Sequence, residues 1–302
     1  MRSSTQSGQQ PGGERVNLTS ENTAIVLDST SDYPDAPARF PNMRFVPLYV
    51  RFGDETFRDY VELGPAEFYE KLRTSTVTPA TAQPTPQDFV TAYEELGAYE
   101  RIYSLHVSSK VSGTFQSAEL AAQEIGGDKV LVVDTMTASL AIAMLSHAIQ
   151  RRLARGTTDE EISALVERFH AHCDVLFTVE TLEYLQRGGR IGKAQAIAGS
   201  LLNLRPVLSV EDGEVVAVAR VRGKQKSLAE FERRFVEATT DGPGLRVAIA
   251  HADAAEWVGT LSELAWRVRP NAEIEFTSTL GAVVGTHAGP GAVGFFWFQD
   301  TD

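Results

Sequence analysis

The chain has 302 residues, 43% apolar and 23% charged, which suits a soluble globular protein of one large or two packed domains. Its formal charge of −12 repels nucleic acid and anionic membrane surfaces, so an anionic ligand needs a local site. The lone Cys173 excludes an internal disulfide and a cysteine-based zinc site, and no apolar run is long enough for membrane insertion.

Residues 1–21, with their Ser, Gln and Gly, read as a disordered tail without the apolar stretch of a signal peptide. Ala24–Leu27 is a short apolar run stopped by Asp28-Ser-Thr-Ser-Asp32, as a buried strand and its turn would be. Residues 44–52 read as one further strand, followed by a polar excursion to Gly64. Pro65 suits the first turn of a helix carrying Phe68, Tyr69 and Leu72 on one face. Residues 74–86 hold six Ser/Thr and three Pro in thirteen positions, a composition that predicts a stiff loop. A helix from Pro86, a strand over 101–107, a helix over 113–125, a strand over 129–133 and helices over 138–155 and from Thr158 follow. Strands alternating with helices imply a parallel sheet covered on both faces, and this α/β domain is placed at 22–170.

The second domain, 171–302, reads as α+β. Its predicted elements are a strand at 175–179, a helix broken at Gly188-Gly189, and an apolar helix over 194–204. A hairpin over 205–221 turns at Glu211-Asp-Gly213. A charged helix at 227–238, a strand at 245–250, a helix at 253–268 and strands near 272–277 and 292–298 complete it.

Three polar loops, 78–84, 108–114 and 285–291, carry the candidate chemistry. Hydroxyls, fixed prolines and permissive glycines in such loops can gather donors around one small anion. Ser112, Gly113 and Thr114 lie where a strand gives way to a helix, whose first-turn N–H groups favour an anion; a plain structural cap is the competing reading. Thr81 is equally explained by turn chemistry, and His287 by a structural role between glycine turns, although either can hold a carboxylate or phosphate. Arg187, Arg190, Lys193, Arg220, Arg222, Lys224 and Lys226 are the main basic concentration of an acidic chain. Singly they read as solvated charge, together as an attraction for an acidic or phosphate-bearing partner.

Enzyme signatures fail. Gly188 to Lys193 is one residue too short for a P-loop, and Ala194 stands where the magnesium-binding Ser/Thr belongs. No Gly-x-Gly-x-x-Gly follows the first strand, and no Cys/His/Asp pattern points to a metal. Ser112, Asp134 and His287 occur in the order of a hydrolase triad but lack the nucleophile elbow. A serine esterase or thioesterase is thus the alternative reading, and a binder of a phosphorylated small molecule a third.

Seven segments, in order, resemble the DegV family of bacterial fatty-acid-binding proteins. They are Asp28–Asp32, Thr81-Ala-Gln-Pro84, Ser109–Ser117, Arg187–Ile191, Arg205-Pro-Val-Leu208, Val221–Lys226 and His287-Ala-Gly-Pro-Gly291, within a resemblance from Ala24 to Phe298. The resemblance implies two domains with a long-chain fatty acid between them, and no cofactor or turnover. By the same resemblance Thr81 and Ser112 hold the carboxylate with His287 nearby, and Arg190 faces a kinase partner; Ser29 and Gly113 are added here as expected supporting contacts. It further implies a cytoplasmic carrier that presents the acid to an ATP-dependent fatty-acid kinase subunit, the acyl phosphate then passing to an acyltransferase of phospholipid synthesis. Arg222, Lys224 and Lys226 extend the expected docking face by their charge. Ala82 departs from the family's frequent serine, removing one supporting hydroxyl. A lipid tail would need a dry tunnel, for which 194–204 and Phe295–Phe298 are the candidate walls.

Overall fold

The computed structural model describes residues 17–126, 128–200 and 205–301. In chain order, β1 (Thr23–Asp28) leads through a 3₁₀ turn (Ser29–Ser31) and α1 (Ala36–Arg39) to β2 (Met43–Val46), β3 (Tyr49–Phe52) and β4 (Glu55–Arg58). Next come α2 (Pro65–Thr74), β5 (Ala80–Ala82), α3 (Pro86–Glu95), β6 (Arg101–His106) and α4 (Thr114–Glu124). β7 (Val130–Asp134), α5 (Leu140–Leu153) and α6 (Asp159–His172) follow. Then come β8 (Asp174–Thr178), α7 (Glu183–Arg187), a 3₁₀ segment (Gly192–Ser200), β9 (Arg205–Glu211) and β10 (Glu214–Val221). α8 (Gly223–Ala238), β11 (Leu245–His251), α9 (Glu256–Val268), β12 (Glu273–Thr279), α10 (Ala282–Ala288) and β13 (Val293–Gln299) end the chain.

The expected parallel sheet is present, in the order β2-β1-β6-β7 with every pair parallel. The chain leaves β1 first towards β2 and later returns on the other side as β6. This reversal opens a crevice at the carboxyl ends of the strands, where doubly wound sheets bind ligands. A six-stranded sheet, β10-β9-β8-β13-β11-β12, forms the other half, antiparallel except between β11 and β12. A small antiparallel sheet, β4-β3-β5, completes the mixed α/β fold.

Helix α5 lies between the two large sheets, packing on β1 and β6 and on β11, β12 and β13. All but one of its residues are buried, which is why its sequence is apolar around most of its circumference. The helices predicted from Pro86 and Thr158 both open with capping boxes, Thr85 with Asp88 and Thr158 with Glu161.

Several local expectations give way. The single strand predicted over 44–52 divides at Pro47, which has no N–H for a sheet ladder; β2 joins the parallel sheet and β3 the small one. The loop predicted over 74–86 contains β5, held by pairing with β3. Residues 285–291 begin inside α10 and are not wholly loop. Gly285 is there for close approach: a Cβ would lie 2.6 Å from the Tyr69 hydroxyl. Over 194–204 the described part is 3₁₀, and 201–204 lie outside the described residues. Residues 1–16 of the expected tail also lie outside them, but Leu18 is 1% exposed and exchanges backbone hydrogen bonds with Thr157 at 2.8 and 3.0 Å. No helix among the described residues is long and apolar enough to cross a membrane.

Candidate functional site

A cavity of about 200 Å³ lies between the carboxyl ends of the parallel sheet and the face of the six-stranded sheet. Thr30, Val107, Ser108, Val111, Ser112 and Ser139 reach it from the loops after β1, β6 and β7. Val175, Phe177, Val210, Val215 and Phe296 line it from the opposite sheet, and Val283, Val284, His287 and Ala288 from α10. Strand alternation explains why Phe296 lines the cavity while Phe295 and Trp297 pack on the other face against Phe231 and Phe235. Of the two walls expected from sequence, 295–298 therefore contributes through Phe296. Ala194 and Ile197 are instead buried in the core.

Thr81, Ser112 and His287, distant in sequence, all line this cavity. Pairing of Val50 with Thr81 fixes the threonine on β5. Its Oγ1 lies 2.9 Å from His287 Nε2, in the last turn of α10. The other ring nitrogen, Nδ1, is buried without a hydrogen-bond partner. Burial first, and then the charge of Arg190, push the imidazole down to about 4, so it is neutral at pH 7. Gly188 makes room for this ring: a Cβ there would lie 2.1 Å from Nδ1. The Gly-Gly pair thus does more than turn the chain, since Gly189 supplies the positive φ (68°) and Gly188 the approach.

Ser112 Oγ is 2.8 Å from Thr114 Oγ1 and accepts from Thr114 N at 3.3 Å, anchoring it ahead of α4. Gly113 is the cap position of that helix; it is not among the cavity-lining residues and leaves space for the Gln83 amide, which does line the cavity. Ser29 is also absent from the wall. It is fully buried, donating to Asp59 Oδ2 at 2.9 Å and accepting from Leu48 N at 3.0 Å. Within the same turn it is Thr30 that reaches the cavity. Ser108 donates to Gly213 O at 2.9 Å, so its hydroxyl ties the two halves together.

Arg190 occupies a different position from the open docking face expected of it. Its side chain enters the cavity wall, with Nε donating to Val111 O at 2.9 Å and Nη1 to Gly188 O at 2.7 Å. The polar end of the cavity is consequently not built from uncharged groups alone. Lys224 is only partly exposed, its Nζ 4.4 Å from the centre of the Trp257 ring. Arg222 and Lys226, at the start of α8, are exposed. Arg190, Thr81 and His287 also bound a second cavity of about 210 Å³, whose other walls include Thr78, Tyr184 and Arg187.

The hydrolase constellation is not assembled. Ser112 bonds to Thr114, His287 faces Thr81, and Asp134 accepts from the backbone N–H groups of Ser109 and Met136. The arrangement of hydroxyls, a neutral imidazole and one fixed guanidinium suits holding a carboxylate rather than activating a serine. No group of His, Cys, Asp and Glu suited to a metal occurs among the described residues.

The structure adds buried acids that sequence reasoning did not single out. Asp32 accepts from Tyr60 Oη at 2.8 Å, Ser139 Oγ at 2.5 Å and Gly281 N at 2.8 Å; Asp59 accepts from Ala282 N at 2.8 Å. Burial pushes Asp32 up to about 6 and Asp59 up to about 7. Both carboxyls grip the start of α10 from the first half of the chain and so set where His287 stands. The Asp28–Asp32 segment marked this turn, but nothing local indicated its distant partner.

The model of the "Uncharacterised protein, DegV family" matches residues 22–300. A DegV family protein from Thermus thermophilus, solved in a study of its fatty acid binding, is similar in fold with a TM-score of 0.86. It is 40% identical, the match covering 92% of this chain and 99% of that one. DegV from Bacillus subtilis, a fatty acid binding protein, has a TM-score of 0.82 at 33% identity, covering 92% and 99%. A DegV domain-containing protein of Deinococcus radiodurans is 39% identical over 277 residues, 90% of this chain and 96% of its own. With one family matched from β1 to the last strand, this chain belongs to the DegV family.

Proposed function

We propose that the protein binds a long-chain fatty acid, with its carboxylate among Thr81, Ser112, Arg190 and His287 and its tail along the apolar walls. The observation that carries this reading is one cavity bounded both by those four side chains and by Val175, Phe177, Val210, Val283 and Phe296. Burial at ~0.8 kcal/mol per CH₂ lets the tail supply most of the affinity. The polar groups then need only orient the head. Fatty acid binding by the Thermus and Bacillus relatives supports the same ligand class. Native mass spectrometry of protein purified from bacteria tests it: a retained mass matching a fatty acid is expected, and protein without such an adduct, unchanged by added palmitate, sinks the reading.

The bound acid is presented to a separate ATP-dependent kinase, and the acyl phosphate goes on to an acyltransferase of phospholipid synthesis. The protein itself acts as a carrier without turnover. Arg222 and Lys226, exposed in a chain of charge −12, form the docking contact for an acidic kinase surface. Alanine at both positions is expected to slow acyl-phosphate formation by the kinase about tenfold, with fatty-acid affinity unchanged. Equal loss of lipid affinity would remove these residues from the docking role.

A further inference from the structure

The second cavity, of about 210 Å³, lies across Thr81, Arg190 and His287 from the lipid cavity. These three side chains are shared by both cavities, so a ligand oxygen touching them from the lipid side borders the second compartment as well. The far compartment differs in chemistry. Thr78, Tyr184 and Arg187 bound it where the lipid cavity has valines and phenylalanines. Arg190 is fixed in place by the carbonyls of Val111 and Gly188. Arg187 is paired with Glu183 one turn earlier, but the two side chains are 56% and 53% exposed. So exposed a pair holds the guanidinium too weakly to withhold it from a dianionic phosphoryl group.

We propose that this compartment is the subsite for the phosphoryl group of an acyl phosphate, with Arg187 and Thr78 meeting its oxygens. The acyl tail stays in the lipid cavity and the acyl oxygens stay at Thr81 and His287. This rests on the lipid-carrier reading above. Transfer from a nucleoside triphosphate forms a bond between a carboxylate oxygen and the γ-phosphorus. The bond from that phosphorus to the β,γ-bridging oxygen breaks, and the electron pair leaves on the nucleoside diphosphate. The new head carries a phosphate dianion, which apolar walls would desolvate without compensation. The far compartment adds a second guanidinium, Arg187, to the Arg190 that both compartments share.

The test compares palmitate with the ketophosphonate analogue of palmitoyl phosphate, in which CH₂ replaces the bridging oxygen, by calorimetric titration of the full-length protein. In Arg187→Gln the ketophosphonate is expected to bind about tenfold more weakly while palmitate changes less than about twofold, and Arg187→Lys restores most of the loss. Thr78→Val gives a smaller loss with the same selectivity. Added salt weakens the ketophosphonate more steeply than palmitate in the parent protein, and Arg187→Gln flattens that difference. Equal losses for both ligands, or no loss for either, overturn the subsite. If the parent protein fails to bind palmitate, the lipid reading itself falls, an outcome distinct from palmitate binding without ketophosphonate selectivity.

Discussion

Ala288→Phe is expected to strip the protein of bound fatty acid. Ala288 lines the lipid cavity beside His287, so the added ring enters space that the tail would occupy. It takes the room of about four methylenes, and at ~0.8 kcal/mol each the loss is about 3 kcal/mol, near a hundredfold in affinity. Lipid content by mass spectrometry and palmitate titration both read this change, with the thermal melt confirming that the variant is folded. Unchanged lipid content in a folded variant would place the tail elsewhere.

The largest effect on stability is expected at Asp300. This residue closes the last strand region onto α5, accepting from Arg152 at 2.8 Å and from Arg151 at 2.9 Å. The Arg152 and Asp300 side chains are each 4% exposed. Burial pushes the Asp300 carboxyl up, but hydrogen bonds and charge from Arg152 and Arg151 outweigh it and hold the group below its ordinary value. Asp300→Ala removes the carboxylate that these two guanidiniums share, while Arg151 keeps Glu275 and Arg152 keeps Ala148 O, and is expected to lose about 1.5–3 kcal/mol. Glu62→Ala, which removes the exposed Arg58–Glu62 pair, is expected to leave the midpoint almost unchanged. Urea unfolding of the two variants measures the contrast, and similar midpoints would show that the Asp300 cluster is not a buried tie.

The elements that sequence revealed best are those whose signals are local. Capping residues, apolar runs and turn glycines mark α3, α6, β6, β7 and the β9–β10 hairpin in the chain itself. What it concealed depends on distant partners. β5 has loop composition and becomes a strand because β3 lies beside it. α10 looks like a glycine loop because Gly285 is required by the approach of Phe68 and Tyr69. Thr81, Ser112 and His287 were legible as candidates, and the fold brings all three to one cavity. Ser29 was not separable from Thr30, since a 3₁₀ turn decides which hydroxyl faces inward. Arg190 looked like surface charge for a similar reason: its carbonyl partner, Val111 O, lies 79 positions away.

The almost complete burial of α5 has a consequence for how such proteins can be recombined. Each of the large sheets packs one face on this single helix and keeps an interior of its own only on the other face. A chimera that joins the front of one homologue to the back of another must match both coats of a single shared keel, whatever is done at the junction. The two halves are therefore bound to change together, and a cassette swap aimed at a new ligand would disturb the centre of the molecule before it reached the binding site.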